Sequence, residues 1–233
     1  MRIEVLRKSL FETNDKAASE NRRILDEHGV VAVNIMGGAG CGKTTLLEGV
    51  IPHLRHDVGI GVLEGDLATT KDAERIAALD VPVVQLLTEG GCHLTATLVE
   101  QGLARLSLPQ LDHVLIENVG NPICPVNFDL GEYARLAVLS VAEGDDKPAK
   151  YPYLYKAASR VVITKCDLLE SCSFDLDHAV SDIHALNPDV PVYATSRKDF
   201  RTMMPLVGWL RSLCNREGIT AIGLRHGAAR RPN

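Results

Sequence analysis

The run GGAGCGKTT, residues 37–45, fits the pattern G-x-x-x-x-G-K-[ST] through Gly37, Gly42, Lys43 and Thr44. An apolar, strand-like run precedes it and a helical pattern follows, which is the setting a phosphate-binding loop needs. Glycines at these positions let backbone N–H groups close on phosphate oxygens, and the N-terminus of the following helix adds partial positive charge. Lys43 then neutralises charge on the β- and γ-phosphates, and the Thr44 hydroxyl ligates Mg²⁺. Gly40, Cys41 and Thr45 complete the loop around the nucleotide, with Cys41 as a small space-filling residue rather than a nucleophile.

Two further groups extend this chemistry. Glu117-Asn118-Val119-Gly120 closes the apolar run HVLIE. An acid in that position can hold Mg²⁺ through water, and a glycine three residues later can sense the γ-phosphate through its N–H, as in a nucleotide switch. At the end of another apolar run, Glu64-Gly65-Asp66 offers Asp66 as a second group near the metal or the attacking water, with a helix cap as its structural alternative. Lys43, Asp66 and Glu117 are thus the candidate catalytic residues, and Thr44, Asp66 and Glu117 the candidate Mg²⁺ ligands. The base is addressed by Thr164-Lys165-Cys166-Asp167, close to N-K-x-D. A carboxylate at Asp167 accepts from both the ring N1–H and the exocyclic amine of guanine, whereas adenine has no such donor pair, so GTP and GDP are favoured over ATP. Thr164 in place of Asn gives up a side-chain amide that would tie this segment to neighbouring loops, and weaker selectivity is the expected result. Ser196, in Thr195-Ser196-Arg197, falls where another base-contacting loop belongs.

A different chemistry stands in GGCHLTAT, residues 90–97, where Cys92 adjoins His93. Thiolate and imidazole suit Zn²⁺, Ni²⁺ or copper. Taken alone, such a pair serves packing more often than ligation. Cys124, in NVGNPICP, is the candidate third ligand because it follows the carboxyl end of another strand. A helical pattern beginning at Leu94 would put Cys92 near a helix N-terminus, where the thiolate is favoured. Three ligands leave a shell open to exchangeable ligands or to completion by another protomer. Cys124 also lies four residues after Gly120. If loss of the γ-phosphate moves that glycine, the same short segment moves a ligand, which points to a nucleotide-controlled metal site.

These residues must be held at the ends of regular elements. Apolar runs at 30–36, 58–65, 81–87, 113–118, 136–141, 160–165 and 190–195 read as buried strands, with helical stretches between most of them. Such repetition predicts an α/β fold of the P-loop NTPase kind, a mostly parallel sheet with helices on both faces and ligands at the carboxyl ends of the strands. KAASENRRILDE, residues 16–27, reads as an amphipathic helix closing at His28-Gly29, within an N-terminal helical extension over residues 1–29. Residues 217–233 read as a flexible tail, and the 233 residues as a single domain. Hydrophobic residues at 45% and charged residues at 24% support a real core, while a net charge of −5 leaves no basic footprint for nucleic acid or an anionic membrane. No apolar run approaches the ~18 residues that span a bilayer and no signal-peptide core is present, so a cytoplasmic location is expected. Six cysteines are too sparse for a disulfide scaffold in a chain of this size.

Taken together, ENRRILDEHGVVAVNIMGGAGCGKTTLL, EGDLATTKDAERI, GGCHLTAT, ENVGNPICPVNFDLGE and SVAEGDDKPAKYP make the chain, over about residues 10 to 215, resemble the hydrogenase nickel-incorporation GTPases of the HypB family. Urease-maturation GTPases belong to the same broader class but carry Cys-Pro-His where Cys92 and His93 are contiguous here. The resemblance implies that Cys92, His93 and Cys124 bind nickel or zinc at the interface of a GTP-stabilised homodimer. It further implies GTP hydrolysis, with Asp66 and Glu117 in the Mg²⁺ and hydrolysis machinery, and Lys147 and Lys150 near the nucleotide and the dimer contact. Nickel would pass, with a HypA-type nickel/zinc partner, to the hydrogenase large-subunit precursor. MRIEVLRKSLFETND has neither the cysteine-rich nor the histidine-rich nickel motif of some members, which leaves the interface site as the expected nickel position. Two other classes compete with this reading. One is a P-loop small-molecule kinase, which needs an acceptor pocket and lid arginines that no segment here clusters. The other is a nucleotide-dependent binding switch whose Cys-His element is structural zinc or redox.

Overall fold

The seven apolar runs are the seven strands of one parallel sheet in the computed structural model, which describes residues 7–214. The expected tail lies outside the described residues. The strands are β1 (Val31–Gly37), β2 (Ile60–Asp66), β3 (Val83–Leu87), β4 (His113–Glu117), β5 (Ala134–Ser140), β6 (Arg160–Thr164) and β7 (Val192–Ala194). Their spatial order is β3-β2-β4-β1-β5-β6-β7. Every residue of β1 and of β4 is buried. Both faces of the central strands are therefore covered, which is why the sequence shows continuous apolar runs instead of polar alternation.

The period of two along a strand divides the core. Val31, Val33 and Ile35 of β1 pack on one face beneath α2 (Lys43–Leu54) and α8 (Met204–Ser212), with Leu47, Ile51, Leu206 and Trp209. Ala32 faces the other way, toward α1 (Arg7–His28) and α4 (Ala96–Leu103), with Leu25, Val99 and Leu103. Met36 shares that second face with Tyr155 of α6 (Pro152–Lys156) and Ile183 of α7 (Leu176–Leu186). Two further helices, α3 (Lys71–Ala77) and the single turn α5 (Lys147–Lys150), complete the set. Chain order reverses beside β1, with β4 on one side and β5 on the other. The crevice outside the carboxyl ends of β1 and β4 is thus the place for a ligand.

Helix α1 begins nine residues before the expected Lys16, and closes as expected at Gly29, whose φ of 63° is left-handed. The early start escaped the sequence pattern because that stretch docks through a buried amide, Asn14, and the lone ring of Phe11. Asn14 Nδ2 donates to Asp129 O at 2.7 Å, and Asn14 Oδ1 accepts from Ala96 N at 2.9 Å. Asn21 Nδ2 donates to Ala96 O at 2.8 Å and to Leu130 O at 2.9 Å. Asn14 and Asn21 are 5% and 0% exposed, so each satisfies backbone groups that water does not reach. Both bridge the start of α4 to the segment before β5. Among the described residues no helix is long and apolar enough to cross a membrane.

Asn21→Ala is expected to lower stability by about 1–3 kcal/mol, the cost of leaving the buried Leu130 carbonyl without this donor and removing the tie to α4. Urea unfolding followed by circular dichroism measures it, and a loss within error of zero would show that α1 does not dock through this residue.

Candidate nucleotide and metal site

The phosphate loop joins β1 to α2. Gly42 caps α2 at φ 97° and Gly40 turns at φ 72°, conformations that a side chain would strain. A Cβ on Gly120 would stand 2.8 Å from Ala39 Cα, so the segment after β4 lies directly against the loop. Lys43 is 7% exposed and its Nζ donates to Gly38 O at 3.3 Å. Cys41 is fully buried and its thiol is pushed up to about 11 by that burial, which fits a packing residue. Thr45 Oγ1 accepts from Arg75 Nη2 at 3.0 Å, and Arg75 is held by Glu48 and Asp72.

Beside the loop lies an acidic pair. Thr44 Oγ1 donates to Glu117 Oε1 at 2.7 Å. Glu117 and Glu64 are Cα partners on the parallel strands β4 and β2, and are 3% and 2% exposed. Each has its Oε2 buried without a hydrogen-bond partner among the described residues. Burial pushes Glu117 up to about 7 and Glu64 up to about 8, the latter aided by the charges of Glu117 and Asp66. Unpartnered carboxylate oxygens beside a hydroxyl form a donor set suited to a hard divalent cation. Asp66 stands one step further along the same face of β2 but is drawn into its own loop. It accepts from Leu67 N at 2.5 Å and Thr69 Oγ1 at 2.5 Å, bonds that hold it below the usual carboxylate range. Glu64, which no motif singles out, is thus the acid placed beside Glu117. Only the strand register reveals this.

The base-reading segment follows β6. Thr164 Oγ1 donates to Cys41 O at 2.5 Å and lies 3.3 Å from Leu139 O. Thr164 was expected to lose a tie to neighbouring loops, yet its hydroxyl makes one to the phosphate loop, against which the residue sits. Lys165 takes a left-handed φ of 59° and donates to Gly40 O at 2.7 Å. Ser196 Oγ donates to Asp167 Oδ1 at 3.1 Å, and Lys198 Nζ stands 3.6 Å from Asp167 Oδ2. Thr164, Lys165, Asp167 and Ser196 are therefore brought to one edge of the loop. Lys147 and Lys150 both pair with Asp146, Lys147 at 2.9 Å.

The third group also assembles. Cys92 Sγ lies 3.5 Å from His93 Nδ1, and one ligand atom from each of Cys92, His93 and Cys124 lies within 4.8 Å of the others. The His93 ring stacks on Phe128 at 3.7 Å, and Phe128 stacks on Phe11 at 5.2 Å. Burial lowers the His93 pKa and so favours the neutral imidazole that ligates metals. The Cys124 thiol is pushed up by its hydrogen bond with Cys92 and by burial, an effect that a cation between the sulfurs would reverse. One expectation needs correction. Helix α4 starts at Ala96, with Thr95 as a cap whose side chain accepts from Leu98 N at 3.3 Å. Cys92 thus stands in a loop ahead of the cap, outside the first turn over which a helix dipole acts.

The raised carboxyls predict a pH effect. Glu64 is neutral in the folded protein up to about pH 8, yet ionises near 4.5 when unfolded. Its contribution is complete at low pH and is lost as pH rises through the folded value. With Mg²⁺ and nucleotide absent, Glu64→Gln should match wild type near about pH 4.5 and exceed it by about 1–2 kcal/mol near pH 8.5 in thermal unfolding. A difference that does not change with pH would mean that Glu64 carries its charge when folded.

With this geometry in place, the relatives can be compared. Residues 31–194 match the nucleotide-binding domain of the CobW/HypB/UreG family. The chain is 38% identical over 203 residues to hydrogenase maturation factor HypB of Escherichia coli, covering 87% of this chain and 70% of that protein. It is 41% identical over 191 residues to the probable hydrogenase maturation factor HypB of Methanocaldococcus jannaschii, covering 82% and 86%. The crystal structure of HypB from Helicobacter pylori in complex with nickel aligns at a TM-score of 0.84 and 34% identity, over 88% of this chain and 96% of that one. HypB from Archaeoglobus fulgidus aligns at 0.82 and 37%, over 88% and 100%. A family match through the whole sheet, together with relatives of this identity and coverage, shows that the chain belongs to the HypB branch of the CobW/HypB/UreG family of P-loop nucleotide-binding proteins.

Proposed function

We propose that this chain is a cytoplasmic GTP-hydrolysing nickel metallochaperone that serves the maturation of a [NiFe] hydrogenase. The observation that carries the proposal is the convergence of Cys92, His93 and Cys124 within 4.8 Å, with Cys124 on the segment that leaves Glu117 and Gly120. The nickel-bound structure of the Helicobacter pylori relative and the names of the curated relatives support it.

In this reading Asp167 accepts the two guanine donors while Ser196 and Lys198 hold its carboxylate in place. Lys43 exchanges the Gly38 carbonyl for phosphate oxygens, and Gly120, packed on the loop, meets the γ-phosphate through its N–H. Thr44 and Glu117 hold Mg²⁺, with Glu64 and Asp66 close by. When bound, Mg²⁺ supplies neutralisation of the phosphate charge. Asp66 lies at the strand end where, released from Thr69, it can orient the attacking water. Nickel is the cargo. Cys92, His93 and Cys124 provide soft ligands and leave its shell open, so a second copy in a GTP-stabilised homodimer completes or shares it, and Zn²⁺ competes for the same donors. A HypA-type nickel/zinc partner and the hydrogenase large-subunit precursor are the proposed exchange partners.

Two experiments test this. Asp167→Asn should weaken GTP binding by about 100-fold and favour xanthosine nucleotides, whose 2-oxo group accepts from the new amide. Unchanged binding of a fluorescent GTP analogue would remove Asp167 from the base site. Equilibrium dialysis of nickel with Mg²⁺ and GDP, or with Mg²⁺ and a non-hydrolysable GTP analogue, should show affinity that differs between nucleotides and that Cys92→Ala abolishes. Binding that survives Cys92→Ala, or zinc that never exchanges, would favour a structural or redox role for the cluster.

A further inference from the structure

Between the nucleotide groups and the metal cluster stands a buried amide to which no motif assigns a role. Asn118 is 1% exposed and lies between Glu117 and Val119-Gly120. Its Oδ1 accepts from Val119 N at 2.9 Å and also from Leu94 N at 3.2 Å. Val119 adjoins the glycine that faces the phosphate loop, and Leu94 adjoins His93. One carbonyl oxygen therefore binds the backbone of both segments.

The other end of the amide is fixed. Asn118 Nδ2 donates to Asn34 Oδ1 at 3.1 Å, and Asn34 Nδ2 donates to Glu132 Oε1 at 3.3 Å. Glu132 also accepts from Arg135 Nε at 2.6 Å and Leu130 N at 2.7 Å. Asn34 is fully buried in β1, so this chain is anchored in the centre of the sheet. Two backbone donors at the oxygen and an acceptor at the nitrogen leave the amide a single orientation. Leu94 is itself clamped, with its side chain filling the space that a Cβ on Gly65 would enter at 2.9 Å.

We infer that Asn118 is a positioning residue that couples the nucleotide switch to the Cys92-His93 arm of the metal site. This inference rests on the nucleotide-coupled site proposed above and names the side chain that carries the coupling. Chain connectivity from Gly120 can move Cys124, but it does not reach His93. Asn118 does, because a displacement of Val119 changes its claim on the oxygen that also holds Leu94. A buried amide bond that is lost must be replaced or left unsatisfied, so the two segments rearrange together. Both ligand arms then respond to the same nucleotide event, and by linkage nickel alters nucleotide affinity by the same factor.

The test compares nickel affinity with Mg²⁺ and GDP against Mg²⁺ and a non-hydrolysable GTP analogue. Wild type should show a ratio of at least about fivefold. Asn118→Leu keeps the shape but removes the acceptor, and should bring the ratio of the two nucleotide states close to one, whatever its effect on the nickel affinity measured without nucleotide. Asn118→Asp keeps the acceptor and should retain more of the ratio than Asn118→Leu. A ratio left intact in Asn118→Leu overturns this assignment alone, whereas a wild-type ratio of one overturns the coupled site itself. If the variants do not fold, amide hydrogen exchange on the nickel-free wild type decides. Protection of the Leu94 N–H should differ between the two nucleotides, and identical protection overturns the inference.

Discussion

Glu64 and Glu117 lie side by side on neighbouring strands, both buried and both with an unpartnered oxygen, and this acidic pair organises the carboxyl edge of the sheet. Burial disfavours the ionised form of both, pushing Glu64 up to about 8, with the charge of Glu117 adding to it, and Glu117 up to about 7 against the lowering pull of Lys43 and Thr44. Lys43 is buried within reach, Thr44 already donates to Glu117, and the loop glycines leave room for phosphate. Burying such a pair costs stability unless a positive charge is brought to it.

The metal cluster is built on a different principle. Cys92, His93 and Cys124 come from two loops and not from the sheet, and their positions are set by contacts from outside those loops. The aromatic stack from Phe11 through Phe128 orients His93. Asn14 and Asn21 of α1 tie the residue after the Thr95 cap to the segment that follows Phe128. The N-terminal helix thus acts as a clamp across the two loops that supply the ligands. Asn118 joins the same region to Val119, beside the glycine that packs on the phosphate loop. The region of the cluster is thus tied to α1 through the two asparagines and to the residues after β4 through one shared oxygen.

Much of this was legible in the sequence. The seven strands follow from continuous apolar runs, because a parallel sheet covered on both faces demands them. The phosphate loop follows from glycines, Lys43 and Thr44 at fixed spacing, since those residue types constrain the local backbone whatever surrounds it. Cys92, His93 and Cys124 could be grouped because each follows a strand end on the same side of a parallel sheet. The start of α1 was missed because the stretch before residue 16 docks through the buried amide of Asn14 and the single ring of Phe11, without an apolar period, and α4 begins later than its apolar pattern because Thr95 caps it.

What the tertiary structure alone decided concerns pairs far apart in the chain. Glu64 meets Glu117 through strand register, and a shift of one residue would put them on different faces of the sheet. Thr164 reaches the carbonyl of Cys41 across 123 positions and so restores a tie that its residue type had seemed to forfeit. Asn118 binds Leu94 across 24 positions, in a contact that no spacing rule encodes. Residue type and spacing determine which backbone turns form and which atoms can donate, accept or ligate. Which of those atoms face one another depends on how strands align and helices dock, and that is settled only when the whole core packs.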